Sequence, residues 1–489
     1  MASAPRARFR ADAGDGAFLC SACTATALRW TGRCPACGEW NTLGPAPARK
    51  ASTKEAPARG PSASPLADVS TDGTHPLATG VSELDRVMGG GVVAGSVTLL
   101  FGPPGIGKST LLFQVLSSLA ATGVDVMLAS AEESLAQVRG RASRIGLVPR
   151  HLLALEGPDV EAIEAAVEHH RPALVVVDSL QSVSDPELGQ PAGSLAQVRC
   201  CVERLTRMAK STGAPLLLVG HVTKDGDLAG PRAVEHLVDT VLSFDGDRHH
   251  ALRVLTSVKH RFGPAGEVGI FEMRDDGLRA VPDPGPLLLG DRMAGVPGSV
   301  VVPVLQGRRP LLVEVQALLG PGNGGGSGPP RPQALGIDAA RANLLLAVLA
   351  CRTTVEIPAS AQMFAAAVGG ITVTEPAADL AVALAMASVI TDVPVPPDVV
   401  VFGELGLAGE VRTVPGADRR LAEAHRAGFT RALVPASMAS APVVAPPGLT
   451  VQGVRTLAEA LSLVRSEADA RVAPGTMPEW PTVPAAASL

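Results

Sequence analysis

The stretch FGPPGIGKST, residues 101–110, decides how the rest of the chain is read. From Gly102 to Ser109 it spells G-x-x-x-x-G-K-S, the pattern of a loop that wraps nucleotide phosphates. The pattern means little in an arbitrary turn, and its surroundings give it weight. GSVTLLFG, a buried-strand pattern, runs into the loop, and STLLFQVLSSLAA follows with apolar residues at helical spacing. Strand, glycine loop and helix together form a P-loop. The backbone N–H groups of Gly105, Ile106 and Gly107 would face the phosphates, helped by the positive end of the helix. Lys108 supplies a point charge for the β- and γ-phosphates, and the Ser109 hydroxyl a ligand for Mg²⁺. Gly102, Pro103, Pro104, Gly105, Ile106, Gly107, Lys108, Ser109 and Thr110 are therefore the nucleotide-binding candidates, with ATP and Mg²⁺ as the ligands.

Strands and helices continue to alternate downstream. DVMLASAEES reads as a strand ending at Glu132 and Glu133, and strand ends of an open parallel sheet border its ligand crevice. Glu132 is the candidate base for the attacking water, and Glu133 reads as a carboxylate at a helix N-terminus. PALVVVDSLQSV brings Asp178 to a strand end, the expected position of a second carboxylate serving Mg²⁺. APLLLVGHVTKDG ends a further strand at His221, with Thr223 and Lys224 beyond it. His221 suits either a sensor of the γ-phosphate or a simple strand-end cap. The loop after it is polar and glycine-bearing, suited to facing a polymer. TVLSFDGDRHHALRVLTSV reads as a hairpin, followed by KHRFG at 259–263. Lys259 and Arg261 alternate there, as fingers toward a neighbouring subunit's nucleotide or as a solvated strand end.

Composition sets the bounds. The chain has 489 residues, 46% apolar and 18% charged, which suits a globular protein of several domains. With no Tyr, three Trp and ten Phe, its cores must be built from Val, Leu and Ala. The net charge of −5 argues against a surface that coats nucleic acid everywhere, while leaving room for a local basic channel. The basic start lacks a secretory apolar run and no span of membrane length occurs, so a cytoplasmic protein is expected. Four of the seven cysteines, Cys20, Cys23, Cys34 and Cys37, form two C-x-x-C pairs. Two such knuckles can converge on one tetrahedral Zn²⁺, which would replace a core too small to fold alone. Cys200, Cys201 and Cys351 read as buried thiols of a reducing compartment.

Taken together, the cysteine module with RWTGRCPACGEWNT, then TGVSELDRVMGGGVVAGSVTLLFGPPGIGKSTLLFQ, SAEES, VVVDSLQSV, GHVTKDG and KHRFG, resembles the bacterial DNA repair protein RadA family, also called Sms. The resemblance covers nearly the whole chain. It implies an α/β fold with a RecA-like P-loop core, a small N-terminal zinc ribbon and a C-terminal domain like the proteolytic domain of Lon. It also implies a homo-hexameric ring that hydrolyses ATP, binds single-stranded and branched DNA, and drives branch migration beside a RecA-type recombinase. On it, Lys108, Ser109 and Asp178 hold ATP and Mg²⁺, Glu132 orients water, His221 is the sensor, and Lys259 and Arg261 match the motif K-N-R-F-G. His260 stands where that motif has Asn, and Thr24 where the family usually has Gly.

In the part that resembles Lon, the serine position of the proteases' Ser–Lys dyad falls on Ala377 or Ala378 and the lysine position near Arg420. Alanine has no nucleophilic atom and arginine is not a neutral base, so no active protease is expected. The domain is instead expected to brace the ring and contact duplex DNA, although Ala366 and Ala367 stand in MFAAAVGG, where the family often has Asn. The expected organisation is a zinc module at 1–43, a linker at 44–75, an ATPase domain at 76–284, a Lon-like domain at 285–468 and a disordered tail at 469–489. Two functions fit: an ATP-dependent DNA motor of helicase type, and an ATP-gated clamp or recombinase loader that does not unwind.

Overall fold

The computed structural model describes residues 18–22, 26–27, 29–45, 65, 67, 75–146, 148–157, 159–221, 234–246, 252–321, 332–358, 361–439 and 446–471. Cys23, Thr24, Thr223, Lys224, most of the expected linker and the chain from 472 on lie outside them. The chain forms two compact units, Met1–Thr71 and Asp72–Leu489.

In the first unit, β1 (Phe18–Cys20) pairs antiparallel with β2 (Thr26–Ala27) and with β3 (Leu43–Pro45). The ribbon thus runs to Pro45, past its expected end at residue 43. Among the described residues, its buried apolar cluster is Cys20, Cys34 and Leu43. Such a nucleus is too small to fold on apolar burial alone.

The second unit opens on a nine-stranded sheet. Its strands are β4 (Val97–Gly102), β5 (Val126–Ser130), β6 (Leu152–Glu156), β7 (Val175–Asp178), β8 (Leu216–His221), β9 (Thr240–Asp245), β10 (Leu252–His260), β11 (Val268–Arg274) and β12 (Gly277–Ala280). Their order is β12-β11-β10-β9-β4-β8-β7-β5-β6. Strands β4 to β9 are mutually parallel, and β10 to β12 add an antiparallel edge. Strand β4 is apolar at almost every position because both its faces are covered. Leu100 packs with α1 (Ser82–Val87) and α2 (Lys108–Ala121), while Val97 and Leu99 pack against α4 (Val160–His170) and α5 (Leu195–Thr212). Helix α3 (Leu135–Ile145) follows the acidic strand end and is capped by Ser134 and Gln137 in a capping box.

The hairpin β9–β10 forms as expected, with an irregularity between Ser257 and Lys259 that pushes Val258 outward. Strand β10 ends at His260, so Arg261 lies just past it. The two cations therefore share a sheet edge without sharing strand alternation.

The remainder follows α6 (Gly285–Leu289). Strands β13 (Ser299–Gln306), β14 (Arg309–Pro321), β15 (Gln333–Leu335), β16 (Ala361–Ala367), β17 (Val399–Val401), β20 (Arg431–Pro435) and β21 (Thr450–Val454) form a seven-stranded sheet, and β18 (Glu404–Leu405) pairs with β19 (Val411–Arg412). The helices are α7 (Ala339–Arg352), α8 (Asp379–Thr391), α9 (Ala417–Arg426), α10 (Ala436–Ala439) and α11 (Leu457–Arg471). Helix α8 is apolar around its circumference because it is buried on all sides. Helix α11 runs to Arg471, past the expected domain end at 468.

Arg309, at the tip of the β13–β14 hairpin, reaches back to the nucleotide-loop sheet. Its guanidinium bonds to the Glu83 carboxylate of α1 and to the carbonyls of Val268 at 3.2 Å and Pro282 at 2.6 Å. Glu83 also accepts the Ile270 N–H at 2.8 Å. Both side chains are buried, so this pair is a buried crosslink between the two sheets. No helix of the described residues is long and apolar enough to cross a membrane.

Candidate active site

The loop after β4 enters α2 through two left-handed glycines, Gly105 at φ 77° and Gly107 at φ 114°. A Cβ on Gly107 would stand 2.7 Å from Met273 Cε, and one on Gly102 would stand 2.1 Å from the Phe244 carbonyl oxygen. Gly102 needs glycine for space against backbone, and Gly107 for its left-handed backbone, since the Met273 side chain could yield. Lys108 is 4% exposed and its ammonium donates to the carbonyls of Gly102 at 2.8 Å and Pro103 at 3.1 Å. Burial pulls the pKa of Lys108 down, and the carboxylates of Asp178 and Glu132 pull it back up. The charges of those two acids thus reach the lysine, while Ser109 and Thr110 follow it in the first turn of α2.

Sheet order explains how the acids reach it. Strand β8 lies between β4 and β7, with Gly102 in register with His221, and Asp178 pairs with Ser130 on the other side of β7. His221 Nε2 is 3.4 Å from Glu132 Oε1. The same carboxylate accepts from the Ser179 hydroxyl and, at 3.4 Å, from the Ser182 hydroxyl. Gln181 donates to the His221 carbonyl at 3.4 Å. Glu133 turns away and pairs with Arg141 at 3.1 Å, and Ser134 is the residue that caps the helix. Lys108, Glu132, Asp178 and His221 are thus brought to one edge of the sheet.

Lys259 and Arg261 are not among them. His260 pairs with Thr240, and Thr240 with Thr98, at the start of the P-loop strand. Five strand steps at about 3.3 Å each separate Thr240 from Asp245 at the nucleotide edge, roughly 17 Å. Lys259 donates to the carbonyls of Glu235 at 2.6 Å and Val238 at 2.9 Å, and Arg261 pairs with Asp239 at 3.0 Å. Between them, the His260 ring meets the Thr240 hydroxyl at 2.9 Å through Nδ1. Burial pushes the pKa of His260 down, so the fold favours the neutral ring. Its contribution is present above the ordinary histidine range near pH 6.5 and is lost as pH falls below it. His260→Asn should therefore flatten the loss of melting temperature between about pH 7 and 5. A parallel pH series on the two proteins checks this, and an unchanged slope would refute it.

Three residues went unread in the sequence. Arg253 on β10 is 6% exposed, and its Nε donates to the Ile106 carbonyl of the P-loop at 3.3 Å. Its signal was weak, because its buried neighbours on that face of β10 are Leu255 and Ser257, of which only Leu255 is apolar. Ser179, directly after Asp178, and Asp239 gave no local signal, since their partners are remote in sequence.

In the ribbon, the sulfur atoms of Cys20, Cys34 and Cys37 lie within 4.8 Å of one another, and Cys20 and Cys37 are 3.7 Å apart. Thiolates at about 2.3 Å around one tetrahedral Zn²⁺ stand about 3.8 Å apart, so the three fit that ion. The backbone N–H groups of Cys37 and Ala36 lower the pKa of Cys34, which favours the ligating thiolate. Gly38, at φ 77°, closes the knuckle.

Of the residues that the resemblance aligns with the protease dyad, Ala377 and Ala378 are buried and Arg420 is 0% exposed. Arg420 meets both oxygens of Glu375, at 2.7 and 2.6 Å, as well as the carbonyls of Pro415 at 3.1 Å and Pro303. Its plane lies 5.8 Å from the Phe402 ring.

Comparisons with known proteins bear on the family. Residues 18–45 match the rubredoxin metal binding domain, 61–227 the AAA domain, and 353–438 the subunit ChlI of Mg-chelatase. The DNA repair protein RadA of Bacillus subtilis (strain 168) is 42% identical over 450 residues, 91% of this chain and 97% of that protein. The protein of that name from Mycobacterium tuberculosis (strain ATCC 25618 / H37Rv) is 45% identical over 462 residues, 93% and 94% of the two chains. That of Escherichia coli (strain K12) is 43% identical over 458 residues, 91% and 98%. With its zinc ribbon, RecA-like nucleotide sheet and Lon-like C-terminal domain, the chain belongs to the bacterial DNA repair protein RadA family.

Proposed function

We propose that the chain is an ATP-hydrolysing motor that moves on single-stranded DNA within a homo-hexameric ring, migrating branched recombination intermediates during DNA repair beside a RecA-type recombinase in the cytoplasm. ATP supplies the phosphoryl group and Mg²⁺ the charge that neutralises it. The P-loop from Gly102 to Thr110 cradles the phosphates, and Lys108 neutralises their outer charge. Ser109 and Asp178 hold the ion. Glu132 accepts the proton of the attacking water, and His221 at its side senses the γ-phosphate. Cys20, Cys23, Cys34 and Cys37 hold Zn²⁺ in the ribbon. The Lon-like domain is a scaffold without peptidase activity, because the Arg420 guanidinium is saturated with acceptors and the neighbouring alanines cannot attack.

One observation carries the reading. Lys259 and Arg261 stand at the sheet edge opposite their own P-loop, so a role in hydrolysis requires the nucleotide of a neighbouring subunit. That need supports a ring over a monomeric switch.

The test is strand displacement on forked DNA with ATP, beside a Lys108→Ala control. The motor separates strands and the control does not. DNA retained and ATP consumed without separation, even with recombinase added, would sink the motor in favour of an ATP-gated clamp or loader.

A further inference from the structure

The turn that follows residue 233 holds both cations of KHRFG at once. Lys259 is held by the carbonyls of Glu235 and Val238, and Arg261 by the carboxylate of Asp239. Asp239 is 5% exposed, whereas the Arg261 side chain is half exposed. A buried carboxylate needs its lone pairs satisfied, and Asp239 satisfies them on two sides. One oxygen faces Arg261, and the other accepts the Val97 N–H at 3.1 Å. The backbone repeats the tie, with Asp239 N–H donating to the Val97 carbonyl at 2.9 Å and Arg261 N–H to the Asp239 carbonyl at 3.2 Å.

Val97 is the first residue of the strand whose last residue is Gly102 of the P-loop. A strand with both faces packed transmits displacement along its axis with little bending. The position of Arg261 is therefore fixed relative to the base of the strand that carries its own subunit's nucleotide loop.

We propose that Asp239 is a positioning residue for catalysis in trans: it aims Arg261 at the neighbouring subunit's nucleotide and joins that finger to the P-loop strand of its own subunit. The inference rests on the trans role given to Arg261 above. Through Asp239, a shift of β4 on nucleotide binding in one subunit moves the finger offered to the next.

Asp239→Asn tests this. The amide oxygen still accepts the Val97 N–H, while the charge facing Arg261 is gone. DNA-stimulated ATP turnover should fall about tenfold in kcat, with KM for ATP within about twofold of the parent, since the finger acts on the transition state and its own pocket is intact. Arg261→Ala should fall at least as far, and the double variant should be no slower than Arg261→Ala alone, because the two residues act as one unit. Should Asp239→Asn prove too unstable to assay, Asp239→Glu replaces it, keeping the charge but displacing it by one methylene; its kcat should fall with KM unchanged. A parent-like kcat in an Asp239 variant, with Arg261→Ala impaired, overturns the positioning role alone. So does a double variant that multiplies the two losses. An Arg261→Ala protein as fast as the parent overturns the trans reading itself.

Discussion

Glu132→Gln is expected to bind ATP as the parent does and to hydrolyse it about 100- to 10,000-fold more slowly, the range for loss of a positioned general base. The amide keeps the shape of the side chain and its acceptor for the Ser179 and Ser182 hydroxyls. What it lacks is a basic oxygen beside His221, 3.4 Å away. Lys108→Ala should behave differently. The ammonium donates to the loop carbonyls and feels the charge of Asp178 and Glu132, so its loss leaves those two acids without their cation when the triphosphate binds. Binding should then weaken along with hydrolysis. Single-turnover hydrolysis and equilibrium nucleotide binding on both variants separate the two effects. If Glu133→Gln rather than Glu132→Gln stopped turnover, the assignment would be wrong; the pairing of Glu133 with Arg141 argues against that outcome.

Glu375→Ala is expected to destabilise the Lon-like domain strongly. Arg420 is fully buried, and Glu375 is its only carboxylate partner among the described residues. The Glu375 side chain is 21% exposed, but removing it strips a fully buried guanidinium of its counter-charge, at a cost of up to about 3–5 kcal/mol. At about 2–4 °C per kcal/mol for a domain of this size, the melting temperature should fall roughly 6–20 °C. Glu375 also accepts the Leu305 N–H at 2.7 Å, so the alanine strands a backbone donor as well. The paired change Glu375→Gln with Arg420→Met removes both charges and should be milder than the single one. Differential scanning calorimetry ranks the three proteins. A single variant melting within about 2 °C of the parent would show that water reaches Arg420 and that the pair is not a closed one.

How far the sequence could be read depended on the range of the interactions. The P-loop, the acidic strand ends and the β9–β10 hairpin were legible because each is written within some twenty residues of continuous sequence, in periodicity and glycine placement. Glu132 could be singled out from Glu133 only weakly, since the decision lies in Ser179, Ser182 and His221, which the sheet brings from two other strands. The pairing of Arg261 with Asp239 was hidden for the same reason. A strand-end cation reads alike whether it faces solvent or a buried carboxylate. The ribbon's end at Pro45 was missed because β3 pairs with β1, some twenty-five residues earlier. At His260 the resemblance marks only a departure from Asn, and the contact of the ring nitrogen with Thr240 is visible in the structure alone.

The buried crosslink from Arg309 to Glu83 bears on how this molecule can be dissected. A fragment ending near residue 284, the natural cut on sequence grounds, would remove the only arginine that meets Glu83 in the interior among the described residues. It would also uncover Val268 and Ile270, which pack into the second core. The ATPase portion so isolated would carry a buried carboxylate without its counter-charge beside a newly wetted apolar edge. Its poor behaviour would be an artefact of the cut, and activities measured on it would say little about the intact chain. A better fragment removes the ribbon before residue 72 and keeps everything after it, since the fold itself divides there.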